Sequence, residues 1–436
     1  MIKNNIEISK SKFEAIEVQG RRIRKFVSWP YGKNTRCEFR LIKLTQFSYH
    51  VAFRYVLCYN AEMYILIDQL EAVEDPRTGN AKRHKLGDIL FIAIAAGVAG
   101  ADTWYEIVEY AHTHEAFFRK YLQLPSGIPS HDTFNRVFAI MDTRILEENY
   151  QQWIKQYISL NPGDVISIDG KTIRGAGERG DTGYVHMVTA CQTETGISLG
   201  QIKVDEKSNE IVAIPKLLDM LEVKGCTITI DAMGCQTKIA EKIIEKKARY
   251  VLAVKENQRR LHEEILETVK MVKPTGIHKE VDADHGRVEE RVCRVYRDLS
   301  FISASWNWPK LSALVEVERR SFNKKTQEES IEKRYFITNM PRGEVARIAH
   351  AIRSHWVVEN GLHWTLDVVF DEDRSRKRVG NAAENYSRLM RVVMSLLKRD
   401  RQRPGFDKPL RRKRKLAAWN TAELERILFG LPGENN

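Results

Sequence analysis

Cysteine is scarce and unpatterned. The six, Cys37, Cys58, Cys191, Cys226, Cys235 and Cys293, form no Cys-x-x-Cys pair, which indicates neither a zinc ribbon nor a disulfide framework. Reduced thiols in a cytosolic protein are the expectation. Long apolar runs are missing too. The longest, Ile89 to Ala101, is shorter than the roughly 20 residues a membrane helix needs. No signal peptide and no membrane anchor are expected. Acidic residues are nearly absent from one segment. Between Arg374 and Lys415 only Glu384, Asp400 and Asp407 stand against 16 Lys and Arg. The whole chain carries a net +12, so the excess is local and the remainder is near neutral. Such a segment suits a phosphate backbone or an anionic surface; a solvated tail is the other reading. Residues 1–62 lack clear periodicity. They are basic and aromatic (Arg21, Arg22, Arg24, Lys25, Phe26, Trp29, Tyr31). They read as a poorly defined leader or a DNA-contacting arm, and Met63 is an alternative start.

What is present centres on one pattern used twice. With 436 residues, 43% of them hydrophobic, the chain can build two or three domains with real cores. Val165-Ile-Ser-Ile-Asp169 places Ile166 and Ile168 on one face of a strand and Ser167 and Asp169 on the other. Gly170 then reads as a turn, followed by Lys171 and Arg174. Thr227-Ile-Thr-Ile-Asp231 repeats the phase, and Gly234 follows. Two such strands side by side bring their aspartates together. Like charges so placed repel unless protonated or bridged by a cation. Hard divalent cations take oxygen ligands, so Mg²⁺ is the expected ion.

Around this pair the chain divides. Helical spacing marks residues 63–160. It covers Tyr64 to Glu74, Leu86 to Tyr110, and His131 to Met141 behind a Ser130 cap. This is a helical N-terminal domain, either a DNA-end-binding unit with a helix-turn-helix or a plain bundle. Pro162-Gly163 is a boundary. Strands at 165–169, 184–191 and 197–204 precede a helix at 209–221, a strand at 227–231, a helix at 236–247 and a strand at 250–255. That order is the mixed sheet of an RNase H-like α/β domain, spanning 161–400, in which the first and fourth strands are parallel neighbours. A different α/β order stays open, since periodicity does not set topology. Residues 277–340 read as an antiparallel β-rich insertion, with strands at 288–296, 311–319 and 331–338. A helix from about 344 to 366 carries His355, Glu359 and His363 at i, i+4 and i+8 on one face. It either packs, completes the metal site through Glu359, or forms a zinc site through its histidines. Residues 401–436 read as a basic C-terminal tail.

From Asp75 to Lys398 the chain resembles the DDE transposases of bacterial insertion sequences, of the H-repeat-associated (ISAs) type. The segments that carry the likeness include Lys85-Leu-Gly-Asp-Ile-Leu, Pro129-Ser-His-Asp-Thr-Phe, Ile168-Asp-Gly-Lys-Thr-Ile-Arg-Gly and Ile230-Asp-Ala-Met-Gly-Cys-Gln. Val254-Lys-Glu-Asn-Gln, Tyr335-Phe-Ile-Thr-Asn, His355-Trp-Val-Val-Glu-Asn-Gly-Leu-His-Trp and Leu366-Asp-Val-Val-Phe-Asp-Glu-Asp continue it in order. One feature departs. Related transposases carry a Tyr-Arg-Glu-Lys pattern around the helical glutamate, and here the matching positions are Ile352, His355 and Leu366.

The resemblance implies a catalytic and metal-holding triad of Asp169, Asp231 and Glu359 with two Mg²⁺ ions, Mn²⁺ being a substitute. It implies cleavage at element ends and strand transfer. The partners are then double-stranded DNA, as terminal inverted repeats and as target, and a homodimer or larger assembly on DNA. No membrane is involved, and the location is the bacterial cytoplasm, at the nucleoid when DNA is bound. Candidate DNA contacts are Lys171, Arg174, Lys255, Asn257, Arg353, His355, His363, Arg374, Arg376, Lys377 and Arg378. Trp306 and Trp308 read as ordinary core tryptophans or as candidates to stack on a displaced base. Two other readings stay open: a DNA-binding relative that no longer cuts, and a metal-dependent nuclease that does not join.

Overall fold

The computed structural model describes residues 66–79, 82–176, 184–205, 209–284, 287–303, 307–401 and 405–430, together with the backbone of a short hairpin, β1 (Ile16–Val18) and β2 (Arg21–Ile23). That hairpin lies in a separate unit, Met1–Cys58. The leader, arm and Met63 readings otherwise fall outside the described residues.

The second unit is built on one nine-stranded mixed sheet. Its strands are β3 (Val165–Ile173), β4 (Val185–Gln192), β5 (Ile197–Lys203), β6 (Thr227–Ile230), β7 (Arg249–Val254), β8 (Gly276–Asp284), β9 (Arg287–Tyr296), β10 (Ala313–Asn323) and β11 (Glu329–Thr338). They lie in the order β5-β4-β3-β6-β7-β11-β10-β9-β8. β3, β6 and β7 are parallel; all other pairings are antiparallel. The β-rich segment is therefore no separate sheet. Tyr335 to Thr338 of β11 pair with Val251 to Val254 of β7, and the insertion extends the main sheet. It also has a fourth strand, β8, at the edge.

The two faces follow from period two. Ile166, Ile168, Ile228 and Ile230 are all buried beneath helices from 210–220, 237–245 and 259–271. Each contributes about 1.5–3 kcal/mol on leaving water. The opposite face carries Ser167, Asp169, Thr227 and Thr229, and a helix at Val345–Ser354 covers part of it.

The helices beside the sheet share one core. α1 (Leu86–Val98) is apolar around nearly its whole circumference and is buried. It lies tightly on α2 (Ala382–Arg401); a Cβ at Gly97 would meet Val393 Cγ2 at 3.0 Å. The helix Trp104–Thr113 begins with a capping box, Thr103 Oγ1 accepting from Glu106 N at 3.2 Å and Glu106 Oε2 from Thr103 N at 2.9 Å. Ser130 caps His131–Ile140 as expected. This core joins residues 66–154 to 358–370, 382–397 and 410–429. The helices before the sheet therefore share their core with the segments that follow it. Residues Leu410–Trp419 and Thr421–Phe429 are helices. Lys413 and Arg426 are buried on Asp400, and Arg414 is buried on Asp102. Acids elsewhere in the chain neutralise these three cations, while Arg401, Arg411, Arg412 and Lys415 stay exposed. Among the described residues no helix is long and apolar enough to cross a membrane.

Candidate active site

Strand register brings the two aspartates together. Ile168 lies opposite Ile230 in the parallel β3–β6 pair. Asp169 and Asp231 are the next residues and stand level on neighbouring strands. β3 does not end there. Gly170 pairs with Val188 and the strand runs to Ile173. Gly170 is small because a side chain at this point would run into Glu210 and His186. His186 Nε2 lies 2.6 Å from Glu210 Oε1, and its Nδ1 lies 2.8 Å from Thr172 Oγ1.

The chain from Val345 carries Glu359. After the helix Val345–Ser354 comes a π-helical stretch, Val357–His363, and then the helix Trp364–Val369. π turns add a residue per turn and concentrate at functional sites. The carbonyl of Gly361 accepts from Thr365 Oγ1 at 2.9 Å and Lys398 Nζ at 3.1 Å. Of the three residues expected on one face, His363 is buried, His355 is partly buried and Glu359 is exposed. Three rungs tie the segment to the strands. His355 Nδ1 lies 3.1 Å from Thr229 Oγ1. His363 Nδ1 lies 3.4 Å from Asp169 Oδ2. Asp367 Oδ1 lies 2.7 Å from Lys171 Nζ.

The electrostatics are those of crowded acids. Burial pushes the Asp231 carboxyl up, and Asp169 and Glu210 push it further, against the hydrogen bond from Gly234 N and the pull of His355. Burial holds His355 below the usual histidine value, although Asp169, Glu359 and Asp231 all favour its charged form. The Nε2 atoms of His355 and His363 are buried without a hydrogen-bond partner among the described residues. Carboxylates level on adjacent strands, one of them with its proton affinity raised by burial and by its neighbour, are a donor set that suits a hard divalent cation. Among the described residues no three His, Cys, Asp or Glu side chains are placed to hold a metal ion, so holding one requires the side chains to close in.

Other expected contacts divide. Lys255, Arg374, Arg376 and Arg378 are exposed. Arg174 is exposed as well and pairs loosely with Asp373, Nε to Oδ2 3.7 Å. Arg353 is held by Glu280 and Asp282 on the edge strand β8. Asn257 is exposed, and its amide donates to the Ala232 carbonyl, pinning the loop after β7 to the loop after Asp231. Two lysines are corrected. Lys171 is not on a turn; it is 8% exposed and enclosed by Asp367, Asp373 and Glu372. Lys377 is buried, its Nζ bonded to the Asp102 carbonyl at 2.8 Å and set 3.5 Å from the Tyr386 ring centroid. Neither ammonium is open to a phosphate. Trp308 is also corrected, being 5% exposed in the core above the isoleucine face; Trp306 lies outside the described residues. The exposed tryptophans beside the site are Trp356 and Trp364, which flank Glu359. Their signal was present in the repeated His-Trp pairs of the motif. Glu210 and His186 carried no local signal, because only the fold brings them to β3; Asp367, Glu372 and Asp373 stood in the 366–373 segment, but their partner Lys171 is reached only in the fold.

The arrangement defines a class: an α/β protein with two aspartates level on neighbouring parallel strands beside a glutamate-bearing helical segment, a donor set suited to a divalent cation. Known proteins specify it further. Residues 160–396 match the family described as Transposase DDE domain, and residues 67–154 match the one described as DDE_Tnp_1-associated. The chain belongs to the DDE transposase family. It is 40% identical over 376 residues to "Putative transposase YncI" of Escherichia coli O157:H7, covering 83% of this chain and 94% of that protein. It is 37% identical over 377 residues to "H repeat-associated putative transposase YhhI" of Escherichia coli (strain K12), covering 85% and 99%. A shorter similarity, 37% over 78 residues, covers 18% of this chain and 93% of "Inactive transposase YbfQ" of the same strain. Proteins of the DDE family generally use divalent metal ions and act on DNA.

Proposed function

We propose that this protein cuts DNA at the ends of an insertion sequence and joins the freed 3′-hydroxyl to a target duplex, on an RNase H-like catalytic domain. The observation that carries the reading is the level placement of Asp169 and Asp231 on neighbouring parallel strands, beneath the segment that bears Glu359. These three side chains would hold Mg²⁺, with Mn²⁺ as a substitute. Two such ions, when bound, supply an activated oxygen nucleophile and stabilise charge on the leaving oxygen.

The chain's own residues do the rest. His363 orients Asp169 through its Nδ1. His355, kept neutral by burial, seats the glutamate segment against Thr229. Lys255, Arg174, Arg374, Arg376 and Arg378 meet phosphates and position the duplex without reading bases. Bringing two element ends together calls for a homodimer or larger assembly on DNA, acting in the bacterial cytoplasm.

A strand-transfer assay tests this. Purified protein is incubated with Mg²⁺, a labelled duplex bearing an element end and a target plasmid. Labelled plasmid is the expected product. Cut ends with no joined product would identify a nuclease instead, and binding with neither would identify a relative that no longer cuts.

A further inference from the structure

Lys171 lies two residues beyond Asp169 on the same strand face, and its surroundings are unusual. Its ammonium faces three carboxylates: Asp367 at 2.7 Å, Asp373 at 3.3 Å and Glu372 at 3.5 Å. Burial alone would push Lys171 down, but Glu372, Asp367 and Asp373 together hold it above the usual lysine value. Glu372 is itself 1% exposed and accepts from Arg391 Nη1 at 3.2 Å and Ser387 Oγ at 2.8 Å. Arg391 reaches Thr189 Oγ1 at 3.5 Å, and Thr189 is the cross-strand partner of Asp169. The network therefore starts and ends on the strand pair that holds Asp169.

Its other arm is the segment of Glu359. Asp367 follows Glu359 by two helical turns on the same continuous segment. The Lys171–Asp367 pair is thus a direct strut between the strand of one triad carboxylate and the helix of another. A buried pair of this kind does little for net stability, but breaking it on one side leaves an uncompensated charge. Its contribution is to geometry.

We propose that Lys171 is a positioning residue that sets the separation between Asp169 and Glu359, acting through Asp367, and that it does not contact DNA. This rests on the assignment of the triad under the proposed function. Outer-shell partners of this kind change ion affinity by about 10–100-fold when removed. A phosphate contact would instead lower the slope of log affinity against log salt by about 0.9.

The experiment uses the full-length chain as wild type, Lys171→Met, Lys171→Arg and Asp367→Asn. Two readouts are taken besides cleavage of DNA. One is DNA affinity in EDTA across a salt series. The other is scission of the protein backbone by Fe²⁺ and ascorbate, with Mg²⁺ as competitor. Wild type is expected to be cut near Asp169, Asp231 and Glu359. Lys171→Met keeps the first two cuts, loses about tenfold of the third, and retains the wild-type salt slope. Lys171→Arg restores the third cut. Should Lys171→Met not fold, Asp367→Asn, at the more exposed end of the strut, gives the same pattern. A reduced salt slope, or a third cut of wild-type strength in both Lys171→Met and Asp367→Asn, overturns the proposal. Absence of all three cuts in the wild type overturns the triad assignment itself.

Discussion

His363 Nδ1 sits 3.4 Å from Asp169 Oδ2, joining the segment that carries Glu359 to strand β3. Both side chains are largely shielded from water, 11% and 17% exposed, so the contact is screened little by salt. We expect His363→Ala to lower DNA cleavage by about 10–100-fold while DNA affinity stays within twofold of wild type. Single-turnover cleavage beside a binding titration measures both.

Asp231 has the opposite character. Burial, then Asp169 and Glu210, raise its pKa in the fold above the usual aspartate value. A raised carboxyl pKa means that the folded state binds the proton more tightly. Its contribution to stability is full below the unfolded value and is lost as pH rises through the folded value. At neutral pH the ion-free protein therefore carries a destabilising charge here. Asp231→Asn is expected to raise the melting temperature in EDTA, and Mg²⁺ is expected to stabilise wild type more than the variant. Melting curves at pH 5 and pH 8 with and without Mg²⁺ check this, the difference between proteins shrinking at the lower pH.

Arg376 and Lys377 are neighbours with different fates. Arg376 is exposed and Lys377 is enclosed by Trp104 and Tyr386. Arg376→Ala is expected to reduce the salt slope of DNA binding by about 0.9, and Lys377→Met to leave it unchanged. Burial lowers the Lys377 ammonium to about 8. A depressed lysine pKa means that the fold binds fewer protons than the unfolded chain above that value, so this residue's contribution to stability improves as pH rises from about 8 toward its ordinary 10.5. Lys377→Met removes that dependence from the melting curve.

Trp308 belongs to the core over Ile228 and Ile230. Trp308→Ala is expected to cost about 3–5 kcal/mol of stability. Trp364→Ala, at 56% exposure, costs little. Denaturant unfolding of both separates core from surface.

What the sequence disclosed depended on period and spacing. β3 and β6 were legible because each repeats Ile-x-Ile ahead of an aspartate, and their parallel pairing followed from the order of elements. β8 escaped because its charged residues, Glu280 and Asp282 among them, are satisfied by Arg353 from a distant helix. The overrun of β3 past Gly170 was hidden because the reason for the glycine is Glu210, some forty residues on. Lys413, Arg414 and Arg426 looked solvated for the same cause: Asp400 and Asp102 meet them only after folding. Within the site, the sequence singled out Lys171, His355 and His363 but not their pairing with Asp367, Thr229 and Asp169.

The measurement that bears most directly on the site is cleavage of supercoiled DNA carrying the element's ends, with Mg²⁺, by wild type and Asp231→Asn. We expect cutting by wild type, none by the variant, and equal DNA binding in both. Equal cutting by the two proteins would remove Asp231 from the chemistry and contradict the site described above.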